Sequence, residues 1–176
     1  MEVAAGKKRK MSSSTPETPL RTAAILTVSD SRFRGEQPDL SGPAIAEILS
    51  KNGFYVVAQK TIPDDQREIE KILIELCNTA RMIVTTGGTG VAERDVTPEA
   101  TRAVCERLVE GIAEQMRHAG SKQTAYAVLS RGVCGVRGNA VLLNLPGSPP
   151  GAVHSLESVV GLMPHLLDLL EGKTQH

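Results

Sequence analysis

The sequence has no tryptophan, and two tyrosines with two phenylalanines bring the aromatic share of its 176 residues to only 2%. Single-stranded nucleic-acid sites stack bases on aromatic rings, so that class of function is disfavoured. Charge of one sign is also missing, because Lys plus Arg and Asp plus Glu stand at 20 each. No overall field attracts nucleic acid or an anionic membrane, and any anionic ligand must be held by local features. No apolar run approaches the roughly 18 residues that suggest a membrane span. A secretory signal is lacking too, since Lys7, Lys8, Arg9 and Lys10 lead straight into Ser12, Ser13 and Ser14. These absences predict a cytoplasmic protein with neither nucleic acid nor membrane as a partner. Cys77, Cys105 and Cys134 form no C-x-x-C pair and are expected to be small buried apolar side chains. His118, His154, His165 and His176 show no ligand spacing, and no Gly-x-Ser-x-Gly elbow occurs, so neither zinc nor a nucleophilic serine is indicated.

What is present is ordinary globular composition, with 40% hydrophobic and 23% charged residues in a length that suits one core. Residues 1–21 are basic and rich in Ser, Thr and Pro, without the periodicity needed to bury a face, and are read as a disordered tail. The domain is expected over 22–172, with 173–176 as a C-terminal tail.

From Ala23 onward, short β-rich runs alternate with helical patterns, the signature of an α/β fold with a mostly parallel sheet covered on both faces. Ala23 to Ser29 reads as a buried strand, followed by a polar loop from Asp30 to Leu40. Ser41 is expected to cap a helix with Pro43 in its first turn and Gly53 as its stop. Phe54 to Ile62 is the second strand, after which Asp64 or Asp65 caps a helix that puts Ile69, Ile72, Leu73 and Leu76 on one face. Met82 to Thr86 is the third strand. Thr97-Pro98-Glu99 has the order of a helix start, and Ala113 to His118 suggests another helix. Ala127 to Leu129 and Ala140 to Leu143 read as strands of a hairpin bent at Gly132, Gly135 and Gly138, and Gly151 to Leu170 reads as helix, bent near Pro164.

Candidate chemistry gathers at the predicted carboxyl ends of the strands, where an open parallel sheet binds its ligands. Gly87-Gly88-Thr89-Gly90 follows a buried strand, and glycine there admits a close anion and positive φ, although a plain tight turn is the alternative reading. Asp64 and Asp95 reach the same edge and together suit Mg²⁺; a helix cap for the first and a loop acid or an Arg94 salt bridge for the second are the alternatives. Ser29, Asp30 and Ser41 extend this polar rim, and Gly147 with Ser148 forms a rigid loop between prolines before another helix start.

The set Thr27-Val28-Ser29-Asp30, Ile62-Pro63-Asp64-Asp65, Thr85-Thr86-Gly87-Gly88-Thr89-Gly90, Arg94-Asp95-Val96-Thr97-Pro98-Glu99 and Asn144-Leu145-Pro146-Gly147-Ser148-Pro149 resembles the molybdopterin-binding family in content, order and spacing. Within it the chain looks like the stand-alone adenylyltransferase branch, the Mog and MoaB-like proteins, over about residues 22 to 172. The resemblance implies a three-layer α/β fold assembled as a homotrimer or a dimer of trimers. It implies transfer of AMP from ATP to the terminal phosphate of molybdopterin with release of pyrophosphate, with a molybdate-insertion enzyme downstream. By position, Asp64 and Asp95 match the family's two functional aspartates, catalytic and metal-holding. The other matched positions, Ser29, Asp30, Ser41, Gly87, Gly88, Thr89, Gly90, Thr97, Glu99, Asn144, Pro146, Gly147 and Ser148, fall to the pterin, the nucleotide and their phosphates. A phosphate already ionised near neutral pH needs no Ser–His pair, which agrees with a site lacking a candidate base. Two other readings stay open: a non-catalytic molybdopterin- or nucleotide-binding protein of the same fold, and a nucleotide pyrophosphatase.

Overall fold

Three strands of the chain leave almost no face to water, and the placement of the first two organises the molecule. In the computed structural model, which describes residues 21–173, β1 (Arg21–Val28) is buried from Ala23 to its end and β3 (Met82–Thr86) throughout. Such runs fit only at the centre of a parallel sheet covered on both sides. β2 (Phe54–Ile62) pairs parallel with β1 at one edge, and β6 (Ala140–Leu145) pairs parallel with β3 on the other side. β5 (Cys134–Arg137) and the two-residue β4 (Arg107–Leu108) then add antiparallel, giving the order β2-β1-β3-β6-β5-β4. The helices are α1 (Asp30–Phe33), α2 (Ser41–Lys51), α3 (Gln66–Cys77), α4 (Thr97–Val104), α5 (Glu110–Ser121), α6 (Pro149–Glu157) and α7 (Met163–Leu170).

Period-two alternation along the central strands splits the core into two halves. Ala23, Ile25, Met82, Val84, Val141 and Leu143 face α2, α5, α6 and α7, where Ile45, Leu49, Met116, Leu156 and Met163 complete a buried cluster. Ala24, Leu26, Val28, Ile83 and Leu142 face α3 and α4, meeting Ile69, Leu73, Leu76, Ala100 and Val104. The three layers thus follow from two periodicities in the chain, 2 in the strands and 3.6 in the helices. Among the described residues no helix is long and apolar enough to cross a membrane.

Several sequence expectations need correcting. The Asp30–Leu40 loop begins with the short helix α1, for which Ser29 Oγ accepts the Arg32 N–H at 3.4 Å. Ser41 does not cap α2 but is its first residue; Asp39 Oδ1 takes the Ser41 and Gly42 amides at 3.1 and 3.0 Å instead. Asp65, not Asp64, caps α3, accepting from Glu68 N at 2.8 Å. Thr97 lies inside α4, with Val96 at the cap and no side-chain bond there. Ala127 to Leu129 belongs to a surface 3-10 helix (Ala125–Leu129), and the hairpin partner of β6 is β5, with the turn at Gly138, φ +53°. Apolar character misled there: Val128 and Leu129 are exposed, whereas Cys134, Gly135 and Val136 are buried. Helix α6 starts at Pro149, and the break before α7 comes at a second 3-10 turn (Val160–Leu162), leaving Pro164 in the first turn of α7. Arg21, assigned to the tail, opens β1, and Lys173 is bonded to Glu171; the tail of residues 1–20 and residues 174–176 lie outside the described residues.

Candidate active site

The chain leaves β1 towards β2 on one side and leaves β3 towards β6 on the other, so the carboxyl ends of β1 and β3 form the switch point of the sheet. Every sequence-named loop converges on that edge. Gly87 and Gly88 turn the chain out of β3 with φ of +100° and +63°, values that favour glycine. A side chain on Gly87 would run into the Val28 carbonyl oxygen, and one on Gly147 would come within 3.2 Å of the Gly87 Cα. The glycines also make room for the carboxylates. A Cβ on Gly88 would collide with Thr97 Oγ1 and stand 3.2 Å from Asp64 Oδ1, and one on Gly90 would stand 2.7 Å from Asp95 Oδ2. The two aspartates therefore flank one four-residue loop despite their distance in sequence.

Asp64 is held by an exchange with Asp30. The Asp30 N–H donates to Asp64 Oδ2 at 2.9 Å, and the Asp64 N–H donates to Asp30 Oδ1 at 3.1 Å, so each carboxylate keeps one oxygen uncommitted to the other. Burial pushes the Asp64 carboxyl above its ordinary range; the Asp30 amide opposes this, while the charges of Asp30 and Asp95 add to it. Asp95 Oδ2 accepts from Ala92 N at 2.9 Å, closing its own turn. Among the described residues no group of three or more His, Cys, Asp or Glu side chains could enclose a metal ion. Mg²⁺ asks for less, one or two carboxylates with the rest of its shell from water and phosphate, and a crowded acid such as Asp64 suits a cation. Burial pushes the Cys77 and Cys105 thiols up to about 11 and Cys134 up to about 12, so none offers a thiolate nucleophile at neutral pH.

The Pro146-Gly147-Ser148 loop is tied to the same edge. Thr86 Oγ1 donates to Pro146 O at 2.7 Å, and Gly147 O accepts from Ser41 Oγ at 3.1 Å and from the Arg32 guanidinium at 3.2 Å. The fully buried Ser41 thus spends its hydroxyl on the loop. Asn144 likewise turns inward: its Nδ2 donates to Thr85 Oγ1 at 3.0 Å and Thr101 Oγ1 at 2.9 Å, and its Oδ1 accepts from Val133 N at 3.2 Å. Ser29 N donates to Ile62 O at 2.9 Å, fastening α1 to β2. Thr97 Oγ1 is buried without a hydrogen-bond partner beside Gly88. Glu99 is taken by Arg131, whose hydrogen bond holds its carboxyl below the usual range.

A cleft of about 740 Å³ opens beside this edge. Gly88, Thr89, Gly90, Asp95, Asn144, Pro146, Gly147 and Ser148 line one part; Met116, Tyr126 and His154 line another. Ser29, Asp30, Ser41, Asp64, Gly87, Thr97 and Glu99 are not in its lining; Asp64 meets the loop at Gly88, across from Asp95 at Gly90. Sequence reasoning missed Arg32, Asp39 and Arg131, which fix these loops through bonds to distant backbone or to side-chain hydroxyls. A hydrophilic residue in a loop carries no local sign of a partner up to 115 residues away.

A family model described as "Probable molybdopterin binding domain" matches residues 24–166. The chain belongs to the molybdopterin-binding domain family. It is 40% identical over 152 residues to a molybdopterin adenylyltransferase of Helicobacter pylori, covering 84% of this chain and 86% of that protein. To the molybdopterin adenylyltransferase of Escherichia coli it is 37% identical over 164 residues, covering 84% of each. The crystal structure of the molybdopterin biosynthesis enzyme MoaB from Thermus thermophilus superposes with a TM-score of 0.83 at 48% identity, over 89% of this chain and all of that one. The α/β architecture is therefore that of the family's MoaB and MogA members.

Proposed function

We propose that this member of the molybdopterin-binding family acts in molybdenum-cofactor biosynthesis by transferring AMP from ATP to the terminal phosphate of molybdopterin. The carrying observation is the pair of carboxylates, Asp64 and Asp95, brought to one glycine loop beside a cleft at the switch point of the sheet. A molybdopterin phosphate oxygen bonds to the α-phosphorus of ATP, the bond from that phosphorus to the bridging oxygen breaks, and pyrophosphate leaves with the electron pair. No proton has to be removed from the attacking oxygen. The barrier is the approach of two anions, and the chain answers it with loop amides and fixed geometry. Asp64 and Asp95 would hold Mg²⁺, which when bound neutralises phosphate charge. The names borne by the relatives support the same reading.

Finer parts of the proposal are a cytoplasmic homotrimer or dimer of trimers, a domain bounded near residues 22 and 172, and ligand contacts through the glycine loop, Ser148 and the Pro146-Gly147 backbone. Ser41, Asn144 and Glu99 serve the site by bracing its loops, as their bonds indicate. The test is incubation of the purified protein with molybdopterin, ATP and Mg²⁺, read by mass spectrometry. Adenylylated molybdopterin with matching pyrophosphate is the expected product. Binding of both substrates with no product would instead favour a carrier, and AMP with pyrophosphate formed in the absence of molybdopterin would favour a pyrophosphatase.

A further inference from the structure

Arg131 stands outside every motif above, yet both its main chain and its guanidinium bond to the glycine loop. Its backbone N–H donates to Thr89 O at 2.9 Å, and its Nε donates to Gly90 O at 2.6 Å. One terminal nitrogen donates to Asp95 O at 2.5 Å and to Glu99 Oε2 at 3.3 Å, while the other reaches Glu99 Oε1. All three guanidinium nitrogens are engaged, and the side-chain partners lie between 32 and 41 residues away in sequence. One residue thus joins the end of the glycine loop, the loop aspartate and the first turn of α4.

The direction of these bonds matters. In a planar trans peptide the C=O and the following N–H point opposite ways. With the Thr89 and Gly90 carbonyls drawn to Arg131, the Gly90 and Val91 amides are turned away from it, and among the described residues neither has a protein acceptor. Thr89 and Gly90 line the cleft. Successive amides aimed out of a loop form an anion-binding concavity. The same guanidinium fixes the Asp95 main chain, from which the carboxylate beside Gly90 projects.

We propose that Arg131 is the positioning residue of the site, setting the orientation of the Gly90 and Val91 amides toward phosphate and of Asp95 toward the metal. The inference rests on the nucleotidyl-transfer reading. Glu99 is the counter-anchor: its two oxygens hold the fork flat while the Nε and the other donor directions serve the loop. A lysine has one compact ammonium and cannot reproduce a planar fork that bonds two carbonyls and a carboxylate in separate directions.

Arg131→Lys, Arg131→Ala and Glu99→Gln are compared with the parent by steady-state kinetics across a Mg²⁺ titration, by calorimetric ATP binding with Mg²⁺, and by melting temperature. Supporting partners around a metal site are generally worth about 10–100-fold in affinity or activity. Both Arg131 variants are expected to show the Mg²⁺ midpoint and the KM for ATP raised by about tenfold or more, with part of the loss recovered at high Mg²⁺. Glu99→Gln should move both values the same way by less. Because a metal that binds the folded state also stabilises it, the melting temperature measured without Mg²⁺ separates positioning from damage to the fold. An unchanged Mg²⁺ midpoint and ATP affinity in Arg131→Lys, or losses that only follow a lowered melting temperature, would overturn the proposal. A parent that binds ATP with Mg²⁺ but does not turn over sinks the adenylyltransferase reading and leaves the binding comparison valid; a parent that binds no ATP overturns both.

Discussion

Adjacent glycines that meet different atoms should fail in different ways when each is given a methyl group. Gly87 has φ +100°, beyond the left-handed well, and its new Cβ would strike the Val28 carbonyl, a main-chain atom at the end of β1. That atom cannot rotate aside, and on the other flank the Gly147 backbone is already close. Backbone strain of about 1–3 kcal/mol and overpacking of about 1–3 kcal/mol together put Gly87→Ala at about 2–6 kcal/mol of lost stability. Against a usual total of about 5–15 kcal/mol, this is large. Gly88 has φ +63°, where an alanine costs about 1–2 kcal/mol, and its Cβ meets no main-chain atom: the Asp64 carboxylate can swing away, while the buried, β-branched Thr97 has to give by a rotamer change or a small shift. Gly88→Ala should therefore fold with a modest loss and yet lose adenylylation, because the displaced carboxylate is the one assigned to the metal. Urea titrations with matched m-values give the stabilities, and ATP binding with product formation gives the function. The reasoning fails if Gly87→Ala unfolds within about 0.5 kcal/mol of the parent, or if Gly88→Ala keeps both its Mg²⁺ dependence and its rate.

The other predictions concern the acids and the buried amide. Asp64→Asn and Asp95→Asn keep a hydrogen-bond acceptor but remove the charge, so turnover should fall far more than molybdopterin binding; near-normal rates for both at saturating Mg²⁺ would refute their role. The Asp64 carboxyl is raised in the folded state, so its favourable contribution is full below the unfolded pKa and is lost as pH rises through the folded one. Without Mg²⁺, Asp64→Asn should thus gain on the parent as pH climbs through that window, and the parent's Mg²⁺ affinity should weaken as pH falls through it; parallel stability curves would contradict this. Asn144→Ala strips the Val133 amide and two threonine hydroxyls of a buried partner. At about 1–3 kcal/mol for an orphaned buried group, a loss of about 2–4 kcal/mol is expected in denaturant, and less than about 0.5 kcal/mol would show that water enters.

Met82 to Thr86 was read with its observed bounds because burial is two-sided there, and the edge strand Phe54 to Ile62, largely open to water, was read from its β-rich content between Gly53 and Pro63. The starts of α2 to α6 were legible to within three residues, but α1 was read as loop and the identity of the caps was not legible. Asp39, Ser41 and Asp64, Asp65 offer neighbouring oxygens, and the choice between them is made by Gly147 and Asp30, from loops distant in sequence. Ala127 to Leu129 failed for a similar reason, since three apolar residues carry too short a pattern to separate a strand from a surface turn. Of the site, the aspartates and glycines were visible as motif and their convergence followed from the sheet. The division between residues that face the cleft and residues that brace it was not visible, because it depends on side-chain direction. Asn144 and Glu99 stand inside motif segments and spend their polar atoms on the protein.

The braces of this site also have a calendar. Asp30 and Asp64 are 34 residues apart, Arg131 and Gly90 are 41 apart, and the bonds from Ser41 and Arg32 to Gly147 close spans of 106 and 115 residues. Contacts of such separation form late, after the loop entropy between their ends has been met. A nascent chain that has emerged as far as the glycine loop after β3 already carries Gly87, Gly88 and Asp64, but neither Asp95 nor the carbonyl that steadies Ser41 and Arg32. No stretch ending before Gly147 contains these braces, and the wall of the cleft closes only with α6 behind it.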